Sequence, residues 1–337
     1  MDSVAERLLA FARALIDIDS TTGREQEVAA FISRTLRDLD WHVDEQPLGD
    51  GRFNVIARVG EPRVVLSTHF DCVPPFFSSR LEGGTLYGRG ACDAKGILAA
   101  QVVAAERARQ AGRTDVGLLF VAGEERGSDG AKAANGWPTA SKVLINGEPT
   151  DNRLGLATKG VYRARLGAAG RAAHSSQPEL GESAIEKLLD ALVALREVAW
   201  PADDLLGVTN YSVGLISGGV APNVIPPDAS AELMFRTVGD YRDVRDQLSD
   251  AVGTSATIED VLVVPPVRLR TVPGFDTAVF AYTTDVPFLD AWGTPMLLGP
   301  GSIAVAHTDA ECVEVAELVR AVDAYERLVA GTGDTSV

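Results

Sequence analysis

Four histidines occur in the 337-residue chain, and three of them, His69, His174 and His307, stand in turn-like stretches beside polar or acidic residues. The fourth, His42, lies in DWHVDEQPL, reads as an exposed strand residue and is assigned no role. His69 closes the run that opens VVLSTHFDCVPP, where Val64, Val65, Leu66 and Ser67 read as a buried strand. Residues two apart in an extended chain point to the same side, so His69 and Asp71 can meet at the strand end. A carboxylate behind an imidazole fixes its tautomer and raises its basicity, which suits a metal ligand. A solvated loop, or a plain hydrogen-bonded pair, would use the same two residues.

Further carboxylates stand at comparable places. Asp93, in LYGRGACDAKG, immediately precedes an Ala-rich helix predicted over 96–110. On that segment alone the position predicts a helix N-cap. The glycines there lack dinucleotide or P-loop spacing. Glu124 and Glu125, in GEERGSDGAK, follow a strand predicted over 115–122. Being adjacent, they cannot share one direction on a regular element; in a turn, one can bind a metal while the other faces a substrate. Glu148, in NGEPT, follows an apolar run at 142–145. Ligands collect beyond the carboxyl ends of strands in open α/β sheets. Taken together, His69, Asp93, Glu125, Glu148 and His307 offer two imidazoles and three carboxylates, a set that suits Zn²⁺, with Co²⁺ or Mn²⁺ as substitutes. With Asp93 bridging, each of two metals would have one His, one terminal carboxylate and the shared Asp, leaving Glu124 free as a base.

The elements that must position these residues read as an α/β layer architecture. Helices are predicted over 3–18 and 24–39, and strands over 41–45, 53–59 and 64–68. From Lys159 the pattern changes. A strand in VYRARLGAAG is followed by the polar loop RAAHSSQPELG, a helix over 183–198, strands over 208–216 and 229–238, a helix over 240–252 and a strand over 257–264. That β-α-β-β-α-β order is the ferredoxin-like split unit. It predicts an inserted domain over 159–264, with 1–158 and 265–337 forming the first domain. A short strand over 296–298 and a last helix ending near 330 complete the chain, and the terminal GTGDTSV is expected to be disordered.

Composition limits the function classes. Hydrophobic content of 46% and charged content of 23% suit a soluble globular protein. The first helix is amphipathic, with Glu6, Arg7 and Arg13, and does not read as a signal peptide. Cys72, Cys92 and Cys312 are too few and too scattered for a disulfide framework and fit a reducing cytoplasm. A net charge of −16 argues against a nucleic-acid partner and against an anionic membrane.

Seven motifs, HFDCVP, GRGACDAKG, GEE, NGEPT, AHSSQPELG, PNVIP and GPGSIAVAH, occur in the order found in one family. The chain resembles the co-catalytic di-zinc metallopeptidases that include acetylornithine deacetylase, succinyl-diaminopimelate desuccinylase and aminoacylase-1. HSSQPELGESAIE and TTDVPFLDAWGTPMLLGPGSIAVAH look most like acetylornithine deacetylase, although Asp285 stands where Glu is expected and the chain is short for that enzyme. The resemblance implies a mixed-sheet zinc-peptidase-like catalytic domain with an inserted ferredoxin-like lid that also dimerises the protein. It implies that His69 and Glu148 hold one zinc, Glu125 and His307 the other, and that Asp93 bridges them. Asp71 would orient His69, Glu124 would be the general base, and His174 would donate to the oxyanion. The activity implied is hydrolysis of N-acyl-L-amino acids, as in arginine biosynthesis. An exo-dipeptidase or aminopeptidase, or a deacylase for acetyl-citrulline or acyl-lysine, would use the same ligands. Arg236, at the end of the strand AELMFR, and Asn223, in the turn PNVIP, are expected to bind the substrate α-carboxylate, for which a guanidinium fork is well shaped.

Overall fold

The computed structural model describes residues 3 to 332. The chain divides into two compact units, one of Met1–Leu156, Leu269–Ala278 and Thr284–Val337, the other of Ala157–Arg268 and Val279–Thr283. Against the expected insertion over 159–264, the second unit begins at Ala157, ends at Arg268 and takes in Val279–Thr283 as the chain returns.

The first unit is built on a six-stranded mixed sheet in the order His42–Gly49, Arg52–Arg58, Val116–Val121, Val64–His69, Val143–Asn146, Thr294–Leu297. The first two pairings are antiparallel and the next three parallel. The parallel strands Val64–His69, Val116–Val121 and Val143–Asn146 are buried at every position. Strands covered on both faces read as continuous apolar runs for this reason. Val64, Leu66, Leu118 and Ile145 face the helices Ser3–Ile16, Gln26–Asp38, Lys95–Gln110 and Val315–Thr332, while Val65, Leu119 and Leu144 face Ala131, Ala134 and Trp292. Each large side chain so buried contributes about 1.5–3 kcal/mol. The Lys95–Gln110 helix is the central one, packing on the sheet and on both terminal helices, and its Ala-rich sequence permits that close approach.

Several short strands escaped the sequence reading, three of them in one place. Arg80–Glu82, Thr85–Tyr87 and Cys312–Glu314 form a small antiparallel sheet. Runs of three residues are too short to show a period. The last helix, Val315–Thr332, runs through Gly331 and Thr332, so the disorder expected for GTGDTSV does not begin there; its other five residues lie outside the described ones. Among the described residues, no helix is long and apolar enough to cross a membrane.

The second unit is a four-stranded antiparallel sheet in the order Asn210–Gly218, Asp228–Thr237, Gly160–Ala169, Thr257–Val264. Helices Ala184–Ala194 and Tyr241–Val252 cover one face, where Tyr162, Leu166, Leu233 and Phe235 meet Leu188, Val244 and Leu248. The strand Asp228–Thr237 shows strict alternation of burial, as a half-covered sheet requires. Both helices begin on a side-chain cap: Ser183 Oγ accepts from Glu186 N at 3.2 Å, and Asp240 Oδ1 from Arg242 N at 2.9 Å. The edge strand Asn210–Gly218 carries a register shift between Val213 and Leu215 and exposes Val213, Leu215 and Ile216.

Candidate active site

Parallel pairing sets the carboxyl ends of three neighbouring strands side by side. His69 is the last residue of its strand, Glu124 and Glu125 open a short 3₁₀ turn just after Val116–Val121, and Glu148 stands two residues beyond Val143–Asn146. Gly147 makes the last placement possible. A Cβ there would come within 2.4 Å of Ile97 Cγ2 on the central helix, so only glycine lets the strand end pass.

Asp93 joins the group from the loop before that helix. It is not the N-cap that its own segment predicted: Ala94 holds that position, without a side-chain cap. The Asp93 carboxylate instead accepts from His69 Nε2 at 2.9 Å through Oδ1, and its Oδ2 lies 3.3 Å from His307 Nε2. His307 Nε2 also reaches Glu125 Oε1 at 3.0 Å. Two triads result, His69–Asp93–Glu148 and Asp93–Glu125–His307, each with one ligand atom per residue, all within 4.8 Å of one another. Asp93 belongs to both.

Asp71 ties two of these strand ends together. Its backbone carbonyl lies 3.0 Å, and its Oδ1 3.4 Å, from His69 Nδ1, which directs His69 Nε2 toward Asp93. The same carboxylate accepts from Glu124 N at 3.0 Å, Glu125 N at 3.2 Å and Thr22 Oγ1 at 2.8 Å. One buried side chain therefore shapes the turn on which the two adjacent glutamates diverge.

Burial disfavours a charged His69, yet bonds to Asp71 and Asp93 carry its pKa well above the usual imidazole value. His307 is lifted to about 10 by its bonds to Asp93 and Glu125. Burial would raise Asp93, but the two histidines hold it below the carboxylate range. Glu124 and Glu148 are pushed well up by burial and by neighbouring carboxylates, against the pull of His69. Asp285, buried beside them, is raised to about 7 chiefly by burial. Glu148 Oε1 is buried with no hydrogen-bond partner among the described residues. Crowded carboxylates that draw protons inward, an orphaned carboxylate oxygen and two imidazoles aimed at one shared Asp fit divalent cations, whose charge would take the place of those protons.

The second unit holds the other three residues singled out from sequence. His174 is exposed, and its loop pairs with the Asn223 turn: His174 bridges Val224, and Ser175 N donates to Asn223 O at 3.0 Å. Ser176 N donates to His174 Nδ1 at 3.2 Å, and Ser176 Oγ lies 2.8 Å away. With Nδ1 accepting, the neutral ring carries its proton on Nε2. Arg236 lies on the Asp228–Thr237 strand, half-buried, with burial lowering its pKa and its side chain making no hydrogen bond or ion pair among the described residues.

Sequence reasoning missed Glu311 and Arg89. Glu311 Oε1 accepts from Gly90 N (2.9 Å), Cys92 N (3.2 Å) and Asp93 N (3.1 Å), and Arg89 Nη1 donates to Oε2 at 2.6 Å. The only sequence signal was a Glu four residues after His307, in HTDAE.

This centre, on a mixed α/β sheet with carboxylates and imidazoles at parallel strand ends, is that of a metal-dependent hydrolase. A family model for peptidase family M20/M25/M40 matches residues 65–331, and the chain belongs to that family of metallopeptidases. It is 38% identical to a peptidase M20 domain-containing protein of Schizosaccharomyces pombe, over 96% of this chain and 84% of that protein. It is 36% identical to a protein of Aspergillus fumigatus named a probable carboxypeptidase, over 98% of this chain and 88% of the other. The solved tripeptidase of Staphylococcus aureus shares the fold with a TM-score of 0.81 at 20% identity, covering 97% of this chain and 99% of its own. These relatives carry peptidase names, and none of the three is named a deacetylase.

Proposed function

We propose that the protein hydrolyses a linear amide and releases an amino acid with a free α-carboxylate. The substrate is then a small peptide or an N-acyl amino acid, since the bond cleaved and the leaving amine are the same in both. The observation that carries this reading is the pair of triads sharing Asp93, with Glu124 beside them. Peptidase names among the relatives favour small peptides, so a carboxypeptidase or dipeptidase activity is put ahead of the acetylornithine deacetylase activity that the motifs suggested.

His69 and Glu148 would hold one divalent cation and Glu125 and His307 the other, with Asp93 shared; imidazole and carboxylate donors suit zinc, cobalt or manganese. Such cations, when bound, acidify water and polarise a carbonyl. The chain's own groups do the rest. Asp71 holds His69 in one tautomer. Glu124, its pKa raised by burial, takes the proton of the attacking water and delivers it to the leaving amine. His174, as the Nε2–H tautomer, donates to the tetrahedral oxyanion, a contribution of about 2.7–4 kcal/mol for donors of this kind. A rate panel tests the reading: N-acetylornithine, N-acetylcitrulline, N-acetyl-lysine, dipeptides and tripeptides, with metal analysis of the same sample. Metal-loaded protein that cleaves none of these amides would overturn it.

Arg236 is assigned to the substrate α-carboxylate, with Asn223 assisting; that its guanidinium has no partner among the described residues supports the role. Arg236→Lys should raise KM about 10–100-fold, the loss expected for a charge-assisted bond of about 1.5–3 kcal/mol. The same substitution should leave a C-terminally amidated substrate unaffected, and an equal loss there would count against the assignment.

We further propose that the second unit is a ferredoxin-like lid that makes the protein a homodimer in the cytoplasm. The Asn210–Gly218 edge, with its exposed Val213, Leu215 and Ile216, is the kind of strand that pairs with a second copy. Three free cysteines suit a reducing compartment. If His174 serves the partner's centre, mixing inactive Glu124→Gln chains with inactive His174→Ala chains should restore activity, because one site then has both groups intact. Demonstrated subunit exchange with no recovery would show that His174 acts within its own chain.

A further inference from the structure

Glu311 lies outside both triads, yet it is fully buried and its carboxylate is met by four donors. Three backbone amides of the GRGACDAKG loop, those of Gly90, Cys92 and Asp93, donate to its Oε1. Gly90, at φ +90, has no room for a Cβ, which would stand 2.9 Å from Cys72 Sγ; this tight path is what lets the amides converge. Its Oε2 takes the buried guanidinium of Arg89. Arg89 is itself fastened, with Nε donating to Pro75 O at 3.1 Å and its backbone N to Phe77 O at 3.1 Å.

Glu311 is also tied to the turn that carries His307. Its own N–H donates to Thr308 O at 3.4 Å, Thr308 N donates to Val305 O, and its carbonyl accepts from Gly88 N at 3.2 Å. The residue thus connects the loop that presents Asp93 with the turn that presents His307, whose backbone sits at φ +65. A non-glycine residue there is held by its surroundings and not by its own preference.

We propose that Glu311 is the positioning residue of the shared carboxylate: a single buried anion that sets Asp93 and His307 in register so that one carboxylate can serve two cations. A carboxylate accepting three amides and a guanidinium is a strong, directional clamp. A glutamine would keep its length, but would offer a weaker acceptor to the amides, or turn its NH₂ against Arg89. This proposal rests on the two-cation reading above.

The test is a cobalt(II) titration of metal-free protein, followed by visible absorption and calorimetry, at a temperature well below melting. Wild-type protein is titrated first; if it binds no cobalt, the two-cation reading fails and takes this proposal with it. If it binds two, Glu311→Gln should bind them about 10–100-fold more weakly, the range typical of groups that orient ligands, with an altered cobalt spectrum. A purely structural role predicts a lower melting temperature with wild-type affinity and spectrum below it, and that result would overturn the proposal. Should Glu311→Gln fail to fold, Arg89→Lys replaces the guanidinium that donates through Nη1 to Oε2 and through Nε to Pro75 O, and leaves the three amides on Oε1; it should weaken cobalt binding several-fold, and unchanged affinity there would also overturn it.

Discussion

Glu124→Gln should reduce turnover by about 10²–10⁴-fold, the usual worth of a positioned general base, while the protein retains both metals. The substitution keeps the side chain's length and shape and removes only its capacity to accept a proton. The turn should not move, because the Glu124 contact that shapes it is the backbone N–H on Asp71 Oδ1 at 3.0 Å. Neither triad includes Glu124, so metal content should match wild type. Burial, together with the carboxylates of Glu148 and Asp285, lifts the Glu124 pKa well above the ordinary glutamate value, which suits a group that must take up a proton and release it. Kinetics and elemental analysis on one preparation decide the matter. A near-normal kcat would place the base elsewhere, with Glu125 the first alternative.

Asp93→Ala should empty both metal positions together. Asp93 is the one residue common to the two triads, and its oxygens face different histidines, Oδ1 toward His69 and Oδ2 toward His307. Alanine leaves each position with one imidazole and one carboxylate, too few for tight binding of a divalent cation. The contrast is with Glu148→Ala and Glu125→Ala, each of which removes a ligand from one triad. Elemental analysis after metal reconstitution reads the result directly. Retention of one tightly held metal in Asp93→Ala would show that the two positions do not share this carboxylate.

What the sequence disclosed follows from the range of each signal. Buried parallel strands write themselves as unbroken apolar runs, so Val64–His69 and Val143–Asn146 could be placed to within a residue, and the polar residues just past them stood out as strand ends. His69, Glu125 and Glu148, so placed, and Asp93 and His307, from loops, are the five that the fold gathers. Asp93 shows where local reading misleads: its own segment spells an N-cap, and only partners 24 and more residues away give it another task. Asp71 was read as a support for His69, but its grip on the Glu124–Glu125 turn crosses two strands and has no periodic trace. Glu311 was invisible for the same reason, since its three amide partners lie more than 200 residues away. The choice between a peptide and an N-acyl amino acid was not written in the ligands at all, because both present the same amide to them.

The insertion of the second unit between Leu156 and Leu269 has a consequence for the order of biosynthesis. When residue 156 leaves the ribosome, the nascent chain holds His69, Asp93, Glu125 and Glu148, but it lacks the Thr294–Leu297 edge strand, the clamp of Glu311 and the Val315–Thr332 helix that covers the central one. At typical elongation rates those pieces follow on the order of ten seconds later. Through that interval the apolar side of the Lys95–Gln110 helix awaits its cover, while the second unit, contiguous except for Val279–Thr283, is free to fold first. Completion of the catalytic half is thereby coupled to completion of the chain: a half-made protein has four of the ligands and no finished centre.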